Sequence, residues 1–462
     1  MLFTRHTNKI FLHKPLSKII ACKETIVGLR PILTTNACMK SLILFCLLFP
    51  LFVFAQSPDN IFLPNIHTVK LFKANQQLSI PLISLNSGEQ LELHFDDLDD
   101  NIKNYYYTFV LCNADWQPAN LSGFDYIKGF QQQRIGDYQV SSISQVKYIH
   151  YQTLFPTDQC VPSKSGNYLL KVFLDSDTSK VAFTKRFFIV NNKVGISGRI
   201  LQPYDNSLAL THQKLQFTID VGQLNVPNPV QQVKVVAVQN FKWDEGRYNL
   251  QPAFIRGNYI EYDGERDCIF EASKEYRFLD LTSFRFYSYW VDKINKDILP
   301  NLVYLKVDGN RLKQQYAFYV NYYGWLNIGS TEVPNGWWQT DYANVLFSYY
   351  PTDGKPLSGK NIYLTGELTQ NHFDDSSKMK FNPYRGVYEK TLLLKQGIYS
   401  YNYTTKEKNN PDAPSSFAST EGNYWETDND YEVLVYYHSY SSRSDELVGF
   451  ASLNSKTAFG GN

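Results

Sequence analysis

Residues 167–190 read NYLLKVFLDSDTSKVAFTKRFFIV. Two runs of apolar, aromatic and β-branched residues flank a polar stretch of Asp, Ser and Thr. Such runs suit a pleated surface, and the polar stretch between them suits a turn, so the segment predicts an antiparallel hairpin. The same pattern recurs outward. KLQFTIDVG carries Leu215, Phe217, Ile219 and Val221 on alternate positions, and VQQVKVVAV, LVYLKVDGN, QYAFYVNYY, KNIYLTGEL and YEVLVYYHS continue it. Helical periodicity is nearly absent, with short turns expected only near 118–130 and 279–284. Strand after strand without βαβ alternation predicts an all-β chain of tandem Ig-like or early-set β-sandwiches with few short helices.

The chain has 462 residues, room for roughly three domains at about 150 residues each. It carries 45 basic and 44 acidic residues, so no global field draws it to nucleic acid or to a membrane surface. Seven of the basic residues and one acid fall in residues 1–55, which leaves 38 against 43 for the remainder. The beginning is therefore a different kind of polypeptide. Met39-Lys40 precedes the apolar run SLILFCLLFPLFVF (41–54), and Ala55 precedes Gln56. This is the layout of a secretory signal cleaved between Ala55 and Gln56, with Met39 as the expected start of translation. The run is short for a membrane span and Pro50 interrupts it. The expected organisation is a leader and signal over 1–55, then β-sandwich domains over 56–192, 193–329 and 330–462, the last early-set-like.

Three cysteines follow the signal: Cys112, Cys160 and Cys268. Export permits disulfides, and Cys112 with Cys160 is the pair that shares a domain; buried free thiols are the alternative. Asp96, Asp97, Asp99 and Asp100 crowd the stretch FDDLDD, where oxygen ligands for calcium are weighed against a solvated loop. The histidines beyond the signal (His67, His94, His150, His212, His372 and His438) show no HxH or HExxH spacing. GxSxG, GxGxxG and P-loop motifs are missing, so no cofactor and no catalytic residue is nominated. Trp337 and Trp338 in PNGWWQTD are candidate interface or sugar-stacking aromatics, weighed against packing in a core.

Several long stretches resemble one family, the type IX secretion system plug proteins. They are YYYTFVLCNADWQPANLSGFDYIKGF (105–130), IGDYQVSSISQVKYIHYQTLFP, SGNYLLKVF, VQNFKW, KEYRFLD, DYANVLFS, LLLKQGIYSYNY and EGNYWETDNDYEVLVYYH, together spanning about residues 65–450. His438 stands where the family has Arg, and RSDEL at 443–447 loosens an Arg-Tyr-Asp-Arg-Leu run. The resemblance implies a non-enzymatic periplasmic protein without direct membrane insertion. Its implied task is to occlude the periplasmic mouth of the giant outer-membrane translocon barrel, which is the implied partner. A glycan-binding envelope protein is the alternative, on the aromatic loops and the third segment's likeness in order to early-set sugar-binding sandwiches. An outer-membrane barrel is disfavoured by long polar inserts and irregular strand lengths, and a secreted cargo by its tail.

Overall fold

A computed structural model describes residues 58–457. The hairpin forms as its sequence predicts: Gly166–Leu174 pairs antiparallel with Val181–Val190, Tyr168 opposite Phe187 and Leu170 opposite Lys185. Its sheet runs Asn60–Ile61, Val181–Val190, Gly166–Leu174, Tyr105–Cys112, Gln133–Arg134, with Leu82–Ser84 parallel to the second of these. A second sheet runs Ile66–Lys73, Leu91–Asp97, Ile149–Phe155, Asp137–Val140. The two share a core rich in Phe95, Tyr105, Phe109, Tyr151, Tyr168 and Phe187. Each such ring, fully buried, stabilises the fold by about 1.5–3 kcal/mol before entropy is counted. Edge-to-face geometry adds to this: Phe95 meets Tyr105 at 5.0 Å and 86°.

Two further cores follow. In one, Gly195–Leu201, His212–Asp220, Tyr259–Tyr262 and Phe254–Arg256 form a sheet. A three-stranded sheet of Val233–Gln239, Asp430–Tyr437 and Glu446–Asn454 contributes Val235, Val433 and Val448 to the same core. In the other, a sheet built on Tyr342–Tyr350 and Val387–Lys395 shares its core with the long strand Gly397–Glu407 and its neighbour Arg277–Asp280. The chain is thus all-β, and among the described residues no sheet closes into a barrel. Only two short α-helices, Gly123–Tyr126 and Pro229–Gln232, occur among the described residues. No helix there is long and apolar enough to cross a membrane.

Three expectations are corrected. The boundary near Gly329 does not separate the cores. Asp430–Tyr437, expected in a domain over 330–462, pairs along its whole length with Val233–Gln239 of the expected 193–329 domain. Strand propensity is local, whereas the partner of a strand is a long-range choice that no local pattern encodes. QYAFYVNYY (315–323) forms no strand. Its polar groups anchor through side chains, with the Tyr316 hydroxyl and the Asn321 amide both donating to the Glu275 carboxylate at 2.6 and 2.7 Å. Leu279, expected in a helical turn, lies in the strand Arg277–Asp280.

Candidate functional site

The strand Leu91–Asp97 alternates as strands must. Leu91, Leu93 and Phe95 enter the first core, so Glu92, His94 and Asp96 point the other way. On an outer sheet that face would meet water. Here the 335–342 loop and the end of Val387–Lys395 cover it, leaving His94 1% and Asp96 0% exposed. The acids FDDLDD are therefore no solvated loop at their start. Asp97, also buried, accepts from Asn65 Nδ2 at 2.6 Å and the Tyr105 hydroxyl at 2.7 Å, and pairs with Lys103 at 2.9 Å. Asp99 and Asp100 are exposed. Among the described residues no cluster of three or more His, Cys, Asp or Glu could hold a metal ion.

Asp96 is the centre of the junction. His150, its direct cross-strand partner, faces it with Nδ1 2.7 Å from Oδ1. The Tyr342 hydroxyl donates to Oδ2 at 2.5 Å, and Lys395 Nζ donates to the same oxygen. Lys395 also donates to the carbonyl of Trp337 and stands 4.2 Å from the Tyr148 ring centroid. Burial pushes the Asp96 carboxyl up, but Lys395 and His150 outweigh it and hold it below the usual range. Burial pulls Lys395 down despite Asp96. Thr68, in a bulge of Ile66–Lys73, holds a φ of 51° that a β-branched residue rarely adopts. The conformation places its hydroxyl 2.6 Å from that of Tyr342.

A proton count follows from the geometry. His150 Nε2 lies 3.0 Å from His94 Nδ1, and His94 Nε2 lies 2.7 Å from Glu92 Oε1. The three links from Asp96 through both rings to Glu92 need three protons. Two neutral imidazoles bring two. Both carboxyls are held below their usual range, Glu92 first by its bond to His94. Neutral rings can therefore donate in two of the three links at a time. Charging His150 is resisted: burial, with Lys395 and His94 adding repulsion, outweighs the pull of Asp96 and brings His150 down to about 4.

Other buried ion pairs tie the same units. Lys70, 1% exposed, meets Glu367 at 2.7 Å across from the first sandwich to the third. Arg186 bridges Asp59 at 3.2 Å and Asp244 at 2.5 Å, first sandwich to second. Within the third unit Glu421, fully buried, accepts from both Arg277 and Arg311. These groups are saturated by one another. The arrangement fixes the mutual position of the cores; it displays no nucleophile beside a free base.

The residues singled out in the sequence fall as follows. Trp337 lies on the junction, stacked on His94, and Trp338 tilts toward His150 at 6.3 Å. Both are half-buried, and one face of the Trp337 ring is covered by His94. Cys112, Cys160 and Cys268 are free and buried, so the Cys112–Cys160 disulfide is not formed. Cys112 ends a strand beside Asn167, whereas Cys160 pairs with Gly129 in a separate two-stranded ladder. Ala55 and Gln56 lie outside the described residues. Sequence reasoning named His150 only as a histidine outside metal-binding spacing and nominated neither Tyr342 nor Lys395. Its one usable signal was the polar triplet at 92, 94 and 96 on a strand whose other face is core.

Residues 66–191 match the family model described as "Type 9 secretion system plug protein 1st domain". The crystal structure of a hypothetical protein from Parabacteroides merdae ATCC 43184 is similar over 86% of this chain and 98% of that one, at 31% identity and a TM-score of 0.82. The chain belongs to the type IX secretion system plug family. No curated protein matches it. Membership ties this plug-family chain to type IX secretion and to the cell envelope. The stretches that carry the family likeness also carry the junctions. His150, Asp341, Lys395, Arg277 and Glu421 all lie in them, and Asp341 accepts from the amides of Gln145 and Val146 at 2.9 and 3.0 Å.

Proposed function

We propose that this protein is a non-catalytic plug. It is exported to the periplasm after cleavage between Ala55 and Gln56. There it occupies the periplasmic mouth of the outer-membrane translocon barrel when no substrate passes. The observation that carries the reading is the plug-domain match over 66–191. Its physical support is the set of buried pairs Asp96–Lys395, Lys70–Glu367 and Arg186–Asp244. Removing one member of a buried pair costs about 3–5 kcal/mol, so such pairs oppose relative motion of the units they join. A stopper for a wide pore has to be one stiff body. The test is a pull-down of tagged protein against detergent-solubilised outer membranes, read by mass spectrometry. Recovery of a giant barrel is expected. Its clean absence, with another envelope component enriched instead, sinks the assignment.

A further inference from the structure

The segment 311–320 is a strap. Lys274 Nζ donates to the carbonyls of Arg311 and Gln314 at 2.5 and 2.8 Å, Tyr316 stacks on Tyr424 at 4.4 Å, and the Tyr319 hydroxyl donates to the Glu275 carbonyl at 3.1 Å. Between these anchors the strap stands off the surface. A cavity of about 570 Å³ opens beneath it, in the size range of ligand sites. Phe278, Trp290, Tyr319 and Val320 line it. The apolar surface continues out of the mouth. Val320 is 79% exposed, Phe318 54%, and Tyr289, edge-on to Trp290, 75%.

Two further facts narrow the occupant. The run 316–320 (YAFYV) has strand-forming composition, yet its amides and carbonyls pair with no other group among the described residues. An unpaired backbone of strand-forming composition beside an apolar cavity is a template for an added strand. Two lysines also stand on the rim. Lys306 Nζ stands 3.9 Å from the Tyr289 ring and Lys456 Nζ 5.3 Å from the Phe318 ring. Neither forms a salt bridge among the described residues, whereas Asp308 and Glu421 beside the cavity are neutralised by Arg277 and Arg311. Glu275 is held up by burial, which disfavours its charged form.

We infer that the slot beneath the 311–320 strap binds an extended acidic–aromatic peptide segment of another polypeptide. Its backbone pairs with residues 316–320, an aromatic side chain fills the space between Trp290 and Val320, and its carboxylates meet Lys306 and Lys456. The inference does not rest on the barrel assignment. A pull-down that recovers no barrel leaves it standing, and its own failure leaves the plug reading standing.

The probe is a fluorescein-labelled Asp-Phe-Glu-Phe-Asp peptide, read by anisotropy with the purified protein. Saturable binding is expected. Lys306→Glu combined with Lys456→Glu should weaken it at least tenfold, and Val320→Asp by a similar factor. These side chains lie at the surface, so unchanged melting of each variant certifies the fold. N-methylation of the peptide's central amides should abolish binding. No saturation at peptide concentrations on the order of 1 mM overturns the proposal. Equal binding of a Lys-Phe-Lys-Phe-Lys peptide, or wild-type affinity in both variants, overturns it too.

Discussion

Trp337 lies flat on His94, with ring centroids 3.8 Å apart and planes 3° from parallel. The indole comes from a loop of the third sandwich and the imidazole from the strand Leu91–Asp97 in the second sheet of the first sandwich, so the stack is a contact between separate cores. It closes the polar junction from outside. Its carbonyl takes the Lys395 ammonium on the inner side. One residue therefore covers the histidine pair and fixes the cation that neutralises Asp96.

The Asp96–Lys395 pair should behave as a buried pair with no solvent to replace a lost partner. Asp96→Asn or Lys395→Met alone is expected to cost about 3–5 kcal/mol, because each strands the opposite charge. The double variant Asp96→Asn with Lys395→Met should cost less than the sum of the singles. Urea denaturation of all four proteins measures the coupling. Strict additivity would mean that the two groups do not act as a pair.

Acid should loosen this junction first. His150 is brought down to about 4, while an unfolded histidine titrates near 6.5. Between those values the unfolded chain binds a proton that the folded one refuses. Stability therefore falls as pH drops from about 6.5 to about 4, by an amount approaching 3 kcal/mol. The loss is expected to shrink in His150→Gln. Emission of Trp337, taken as the difference between the protein and its Trp337→Phe variant, should change over the same window. A junction indifferent to pH from 7 to 4 would contradict the lowered value of His150.

How much of this was legible in the chain depends on distance along it. The hairpin at 166–190 was legible because its partner strands are neighbours and a polar turn separates them. The strand 430–437 was legible as a strand, but not as a partner of 233–239, since local alternation is blind to pairing across about two hundred residues. The junction shows the same limit. His94 and Asp96 stand where alternation assigns solvent, and only the arrival of Trp337, Tyr342 and Lys395 makes them buried. Trp337 stands out in the sequence by its WW loop, and in the fold its ring packs on His94 of the same chain. QYAFYVNYY misled because composition records the capacity to pair, and not the presence of a partner.

The three thiols make a simple test of burial. Burial pushes Cys112 up to about 12, with Asp115 adding to it, and Cys160 up to about 11. Cys268 is raised further, again chiefly by burial. The thiolate is the reactive form, so all three should be silent toward an aromatic disulfide reagent in the native protein at pH 8. All three should react after unfolding in guanidinium without reductant. Fewer than three would reveal a Cys112–Cys160 bond.

Glu432 supplies the alkaline counterpart of His150. It is fully buried on Asp430–Tyr437, and burial with Asp430 close by raises its carboxyl well above the usual value. The folded chain keeps this proton where the unfolded chain has released it. Stability is thus fully present below about pH 4.5 and is drawn down as pH rises toward the folded value. At pH 7 the penalty is in force. Glu432→Gln keeps the shape, removes the ionisation, and should leave the protein more stable than wild type at pH 7 but no more stable at pH 4. Comparing the two proteins by urea denaturation at both values decides it. A variant that is less stable at pH 7 would show that the carboxyl is ionised in the fold and that strand Asp430–Tyr437 accommodates the charge.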